Sequence, residues 1–473
     1  MRRLVSSKKL FGTAGVRGRY LREVSPEVFL YLSATIATYF KARRSVVGGD
    51  GRLTTPVLKS SVVTGLLASG SEVIDVGLVP LPVLAWSTRF LRGDLGIYVT
   101  ASHNPPQDNG LKAFYGNGME ILEEDELKIE ELYVGRGWVL ADWDATGSYA
   151  SAAHVVSEYI EELLSRLSPV GSGGRVRVLI DTANGAASLV TPKVLTELGA
   201  QVITLNSNID GRFPGRHPEP RPDVLEPLLP IARELRVDAF LAHDGDGDRL
   251  AVLSPAKGFI KQDRIIALLA KEMLSVRGGT VVVSIDVGNA VRDVVEEAGG
   301  KLAITKLGAT HTGMLKYPDV VMTAEPWKFI DPGWGPWVDG VYQAAMLTKL
   351  MIERKSSIDE LLKEIPDYPQ ARVSIEVPKE LKEEVYECLT TKLLEWRTPD
   401  SEILTIDGLR VNYVDRSWLL IRKSGTEPKI RIYGESLTYE DLKNRVNTLL
   451  SEASKILKKH GLGEVRIDGK IIP

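Results

Sequence analysis

Val176-Arg-Val-Leu-Ile-Asp181, followed by Asn184-Gly185, is a short β-branched run that ends in an acid, turns through a glycine and enters a helix-compatible stretch. The same plan occurs at Ser45-Val-Val-Gly-Gly-Asp50 and at Val281-Val-Val-Ser-Ile-Asp286 with Gly288. Mostly apolar runs read as buried strands, and amphipathic segments such as Val57 to Leu67 and Ala290 to Ala298 imply crossover connections between them. Three α/β units of similar plan follow. The last hundred or so residues differ. Leu404 to Tyr413, Trp418 to Ile421 and Lys429 to Tyr433 read as short strands joined by tight turns, with a helical pattern from Tyr439 to Lys458. Strands in a run followed by a helix indicate an α+β unit.

Turn-rich joints fall at Gly171-Ser-Gly-Gly174, after the helical Val156 to Leu167, around Ala256-Lys-Gly258, and at Pro366-Asp-Tyr-Pro369. The expected domains are therefore 1–150, 151–255, 256–368 and 369–473. A chain of 473 residues has ample length for several cores, and 44% apolar with 26% charged residues is an ordinary globular balance that excludes bulk disorder. The single cysteine, Cys388, excludes an intrachain disulfide and a cysteine-based zinc site. With 59 Lys+Arg against 62 Asp+Glu there is no electrostatic case for a nucleic-acid partner. No long apolar run suggests a membrane span or signal peptide, so a cytoplasmic location is expected.

Three segments carry chemistry. In His243-Asp-Gly-Asp-Gly-Asp-Arg249, alternate residues of an extended stretch would aim Asp244, Asp246 and Asp248 at one point. Three such carboxylates need a cation, and hard divalent ions take oxygen ligands. A calcium EF-hand does not fit, because Arg249 and Pro255 stand where that loop needs Gly and Glu. The bland alternative is an acidic surface turn.

Gly96-Ile-Tyr-Val-Thr-Ala-Ser-His-Asn-Pro-Pro106 runs from a strand into a rigid loop that presents Ser102, with His103 and Lys112 near in sequence. Alone, Ser-His says little, and the Gly-x-Ser-x-Gly elbow of hydrolases is missing. Arg422-Lys-Ser-Gly-Thr-Glu-Pro-Lys-Ile-Arg431 has the cations, hydroxyls and glycine of an anion-binding loop, or of an ordinary hairpin with solvated charges. Neither a Walker A loop nor a dinucleotide glycine fingerprint is present.

Together these segments resemble the α-D-phosphohexomutase family, which includes phosphoglucomutase, phosphomannomutase and phosphoglucosamine mutase. The resemblance starts at Leu10-Phe-Gly-Thr-Ala-Gly-Val-Arg-Gly18, continues through Thr100 to Pro105 and His243 to Arg249, and closes at Arg422 to Pro428. Weaker matches lie at Asp210 to Pro214, Pro218 to Pro220 and Thr305 to Gly308. It implies three similar α/β domains with mixed sheets and a smaller C-terminal α+β domain around a central cleft.

By the same resemblance, Ser102 carries a phosphate that moves between O1 and O6 of a hexose through a bound 1,6-bisphosphate. One Mg2+ per chain is implied on Ser102, Asp244, Asp246 and Asp248. Arg17 and Arg249 neutralise charge, and His103 and Lys112 are both candidates for the proton transfer. Arg422, Ser424, Gly425, Thr426 and Arg431 would hold the phosphate that is not reacting, while Glu325 and Lys306 would meet the sugar. Hexose 1,6-bisphosphate is the implied activator, and a glucosamine, glucose or mannose phosphate the implied small-molecule partner.

One stretch departs from the family. Its sugar-selecting loop usually reads Gly-Glu-x-Ser-Gly-His, whereas this chain has Ala324-Glu-Pro-Trp-Lys-Phe329. Glu325 is retained; Trp327 and Lys328 are candidates for sugar stacking and phosphate contact, or simply for packing at a domain interface. Ala309 stands where some relatives have histidine, with His311 two residues on. A sugar-phosphate-binding protein without catalysis and a metal-dependent sugar phosphatase are the competing readings. Oligomeric state is not legible.

Overall fold

A computed structural model describes residues 10–12, 15–168, 176–425, 427–462 and 466–473. Among these, the strands form four sheets. The first runs Val16–Arg19, Asp108–Tyr115, Leu95–Val99, Arg44–Gly49, Glu72–Leu78, Tyr149–Ser151, antiparallel over its first three strands and parallel beyond them. The second runs Gly258–Phe259, Leu250–Ser254, Ala239–His243, Arg177–Asp181, Gln201–Leu205 and is mixed in the same way. In the third, Lys301–Thr305, Thr280–Ser284 and Val320–Glu325 are parallel and Lys328–Ile330 closes the edge antiparallel. The fourth is antiparallel throughout, in the order Glu402–Leu404, Leu409–Asn412, Trp418–Lys423, Lys429–Glu435, Gln370–Glu376, Ile467–Ile472. Three mixed α/β units and one α+β unit are thus present.

The expected helices form as Thr55–Ala68, Val155–Leu167, Asn289–Glu297 and Tyr439–Lys459. The run Leu404 to Tyr413 is broken into two strands, because Gly408 turns at φ 86°. The turn Ala256-Lys-Gly258 is a hairpin inside the second sheet, which the chain leaves only after Phe259. The joint at Gly171 to Gly174 lies outside the described residues. No helix among the described residues is long and apolar enough to cross a membrane.

Loops following the carboxyl ends of parallel strands form the crevice of an open α/β sheet. Asp50, Thr100 to Ser102 and Asp244 immediately follow such strands, while Asp181 and Glu325 end them. The strand-end acids that mark the repeated plan serve as ties: Asp181 accepts from Ala183 N at 2.7 Å and Asn206 Nδ2 at 2.8 Å, and Asp50 accepts from Thr55 Oγ1 at 2.8 Å.

One apolar core runs through the first three domains, from Val46 and Tyr98 through Val178 and Leu241 to Val283 and Met351. The fourth domain has its own core around Val373, Leu419 and Val446. It meets the third through a small patch, Ile285 with Trp418 and Leu420, and a buried polar network. There Arg372 donates to Asp286 Oδ2 at 2.6 Å, Gln370 bridges Asp263 and Glu435, and Glu435 accepts from Asn289 N at 2.7 Å and Trp418 Nε1 at 2.9 Å.

Burial, followed by the neighbouring Asp263, pushes the Glu435 carboxyl up to about 7 from its ordinary 4.5. The folded chain therefore holds a proton that the unfolded chain releases, and stability falls as pH rises from about 4.5 to about 7. In Glu435→Gln the amide supplies that proton permanently. Its urea-unfolding free energy is expected to lose this part of the pH dependence across that window relative to the unaltered chain, and an unchanged slope would contradict the assignment.

Candidate active site

Ser102 sits on the loop after Leu95–Val99 in the left-handed region, at φ 49°, and is 1% exposed. Such a backbone is costly for a residue with a Cβ and persists only when neighbours hold it. Arg52 does so. Its guanidinium, itself buried, donates to the carbonyls of Ser102 at 2.7 Å, Asn104 at 2.6 Å, Pro105 at 2.7 Å and Asp108 at 2.9 Å. Asp50 fixes Arg52 Nε at 3.1 Å, and Thr100 Oγ1 receives Ser102 N at 2.7 Å.

Arg52 was not singled out in the sequence. Its signal was its place just beyond the strand that ends at Gly49, two residues after Asp50. Arg52→Ala removes the cation from buried Asp50 and the guanidinium from four loop carbonyls, so it is expected to cost about 3–5 kcal/mol in urea unfolding. Arg52→Lys keeps the charge but not the fork and should lose less.

The acid loop is bent rather than extended. Gly247 at φ 76° interrupts the alternation, yet the three carboxylates converge, with one oxygen from each of Asp244, Asp246 and Asp248 within 4.8 Å of the others. A Cβ on Gly245 would stand 2.7 Å from the Ser102 carbonyl, so glycine there lets the acid loop meet the serine loop. Ser102 Oγ donates to Asp244 Oδ2 at 2.8 Å. Asp246 Oδ1 and Asp248 Oδ1 are buried with no partner. An all-oxygen donor set with orphaned carboxylate oxygens fits a hard divalent cation such as Mg2+. His243, by contrast, is locked between Thr191 Oγ1 and the Arg249 carbonyl, both at 2.9 Å, and burial pushes it down to about 4. It holds the loop and points away from chemistry.

Cations surround the acids. Lys112 Nζ donates to Asp248 Oδ2 at 3.0 Å; burial alone would lower its pKa, but Asp248, Glu120 and Asp246 raise it. Arg249 Nε lies 4.0 Å from Asp244 Oδ2, and Arg249 Nη1 3.7 Å from Glu219 Oε1. Arg17 Nε is buried without a partner. His103 Nδ1 is 3.2 Å from Ser102 Oγ, and burial with Arg249 and Arg17 holds this imidazole well below its usual range, hence neutral. The structure therefore brings Ser102, His103, Lys112, Arg17, Arg249 and the three aspartates together.

The residues expected to meet the substrate lie on the third and fourth domains. Glu325 Oε2 accepts from Gly308 N at 2.7 Å and Glu325 Oε1 pairs with Lys328 at 2.7 Å. Trp327, at φ 67°, packs on the second domain's cluster around Phe240 and Leu253, which is the interface alternative rather than a sugar stack. Lys306 pairs with Glu123 of the first domain at 2.6 Å. Arg422 Nε donates to Asp407 at 2.7 Å, Ser424 Oγ accepts from Glu427 N at 3.2 Å, and Arg431 meets Glu427 at 3.5 Å. A Cβ on Gly425 would meet nothing within 4 Å, so the loop faces open space. Thr426 lies outside the described residues. Lys382, absent from the sequence reading, donates to the Ser424 carbonyl and to the Glu427 carbonyl at 2.9 Å.

Three α/β domains and one α+β domain, with a serine hydroxyl set on a buried triad of acids, are the makeup of the isomerases that shift a phosphate within one sugar. Its sequence matches all four domains of one family, described as phosphoglucomutase/phosphomannomutase alpha/beta/alpha domain I at residues 8–136, domain II at 157–257, domain III at 261–368, and C-terminal domain at 350–461. The chain belongs to the phosphoglucomutase/phosphomannomutase family, the α-D-phosphohexomutases. It is 41% identical over 453 residues to a phosphopentomutase of Thermococcus kodakarensis, covering 95% of this chain and 99% of that one. A probable phosphoglucosamine mutase of Methanopyrus kandleri is 37% identical over 435 residues, 91% of this chain and 95% of its own. A family protein of Burkholderia thailandensis superposes with a TM-score of 0.83 at 25% identity, covering 98% and 99% of the two chains.

Proposed function

We propose that the chain interconverts hexose 1- and 6-phosphates, with glucosamine, glucose and mannose phosphates as the substrate set, through a phosphate carried on Ser102. The observation that carries this reading is Ser102 Oγ at 2.8 Å from Asp244 inside a buried triad of acids. In the forward step the Ser102 Oγ–P bond breaks as a sugar hydroxyl bonds to phosphorus. The hydroxyl's proton passes to a base, for which neutral His103 is the candidate, while Lys112, kept protonated beside Asp248, can only donate a proton, as to the departing serine oxygen. Asp244, Asp246 and Asp248 would hold one Mg2+, which would offset phosphate charge during transfer. Arg17 and Arg249 supply fixed positive charge beside it.

The resulting 1,6-bisphosphate must turn over before its other phosphate returns to Ser102, so the Arg422 loop, with Ser424, Gly425, Thr426 and Arg431, grips whichever phosphate is idle. Glu325 and Lys306 face the sugar. Added hexose 1,6-bisphosphate would recharge an enzyme that had lost its phosphate. The test is peptide mapping for a phosphate on Ser102, combined with turnover of the three hexose 1-phosphates. Free phosphate released in step with substrate would instead favour a phosphatase, and no turnover of any sugar phosphate would favour a binding protein.

A second reading is favoured by one observation: the serine and histidine of the usual sugar loop are missing and Lys328 already occupies Glu325. With a 41% identical relative named a phosphopentomutase, a pentose phosphate moving its group between O1 and O5 belongs in the same screen.

A further inference from the structure

Asp407 sits in the turn between Glu402–Leu404 and Leu409–Asn412, where an Asp-Gly pair ordinarily does no more than reverse the chain. Here Gly408, at φ 86°, provides the reversal, and the bonds of the Asp407 carboxylate go elsewhere. Asp407 Oδ2 accepts from Arg422 Nε at 2.7 Å across the hairpin and from Leu307 N at 3.2 Å in the third domain. The next amide along, Gly308 N, donates to Glu325 Oε2 at 2.7 Å. Two consecutive amides of one loop are therefore held by two carboxylates, one bound to the phosphate-loop arginine and the other facing the sugar.

Leu307 N and Gly308 N are joined through the single Leu307 Cα, so covalent geometry bounds the distance between them. The path Arg422, Asp407, Leu307-Gly308, Glu325 is a spacer of set length between two substrate contacts. Its bond to Nε leaves both Nη groups of Arg422 without a protein acceptor among the described residues, which presents the fork to a phosphate. Side chains 20% and 14% exposed at Asp407 and Arg422 place the pair where it is screened less than a surface ion pair.

We propose that Asp407 is a positioning residue that fixes the distance between the phosphate held by Arg422 and the sugar hydroxyl held by Glu325, and so selects the sugar by its length. This rests on the reading of Arg422 as the grip for the idle phosphate. Because the substrate must be held in both orientations, a sugar of the wrong span loses one of its two contacts each time, and discrimination is applied twice per turnover. The same tie spans the third and fourth domains, so the spacer is complete only while Leu307 N and Asp407 stay in contact.

The test is the affinity of the Mg2+-loaded protein for glucose 6-phosphate, glucosamine 6-phosphate and ribose 5-phosphate by calorimetry, in the unaltered chain and in Asp407→Ala, Asp407→Asn and Arg422→Ala. Asp407→Ala is expected to shrink the hexose-to-pentose affinity ratio by about tenfold, and Asp407→Asn by less, since both bonds fall on the one oxygen Oδ2, and an amide oxygen in its place keeps them and loses only the charge. A carboxylate that merely stabilised the turn would lower the thermal midpoint and weaken every sugar phosphate by one common factor. An unchanged ratio in Asp407→Ala overturns the proposal, and if that variant fails to fold, an unchanged ratio in Asp407→Asn does so. Arg422→Ala separates the two ideas: should it bind all three sugar phosphates as tightly as the unaltered chain, the phosphate-grip reading fails first.

Discussion

Ser102→Ala is expected to leave purification without phosphate and to turn over sugar phosphates at roughly a ten-thousandth of the unaltered rate or less. The oxygen it removes is the one that contacts Asp244 at 2.8 Å; Thr100 Oγ1 also reaches the triad, 3.2 Å from Asp246 Oδ2, but is fully buried. Thr100 Oγ1 is engaged with the Ser102 amide and lies 2.8 Å from Asp50 Oδ2. The fold should survive, because the strained backbone at φ 49° is no worse for alanine than for serine and Arg52 still clamps the loop carbonyls. Sugar-phosphate affinity should change little, since the Arg422 loop and Glu325 are untouched. Loss of turnover with retained binding is the signature of a removed phosphate carrier. Intact mass, turnover and calorimetry read the three quantities separately, and undiminished turnover would end the phosphoserine mechanism.

Much of this site was legible because its chemistry is local in sequence. The acids at 244, 246 and 248 fall within five residues, and the Ser102 loop and the Arg422 loop are each one strand-end turn. Convergence of strand ends toward one crevice follows from parallel α/β packing and needs no long-range information. What the sequence hid is long-range. Arg52 finds its acceptors about fifty residues away, Asp407 reaches Leu307 across a domain boundary, and Lys382 enters the phosphate loop from a helix. None belongs to a pattern, since a buried arginine or an Asp-Gly turn looks the same whether or not it has distant partners. The bend at Gly247 is hidden for a related reason: alternation of Asp and Gly fits a pleated strand, but the glycine takes a left-handed conformation at a spot where an added Cβ would stand 3.0 Å from Ala187 of a distant segment.

Asp246→Asn should reverse the order of stability of two proteins when Mg2+ is added. Without the ion, three carboxylates lie within 4.8 Å of one another in a buried loop, and burial with Asp248 already pushes Asp246 up from its usual range. Lys112 is bonded to Asp248 at 3.0 Å but stands 4.0 Å from Asp246, so its compensation is unequal. Asparagine is nearly isosteric and removes one of the three like charges, so the metal-free variant should melt above the metal-free unaltered chain. With Mg2+ at a hundred times its dissociation constant, the unaltered chain gains about 2.7 kcal/mol from binding. The variant has lost one anionic ligand and gains much less, so the unaltered chain should now melt higher. Turnover of the variant should fall by about a thousandfold, because the ligand lost is also the charge that holds the ion opposite the phosphate. Thermal melts of both proteins, with EDTA and with Mg2+, give the crossing directly. A variant stabilised by Mg2+ as much as the unaltered chain would place the cation away from Asp246, whatever its activity.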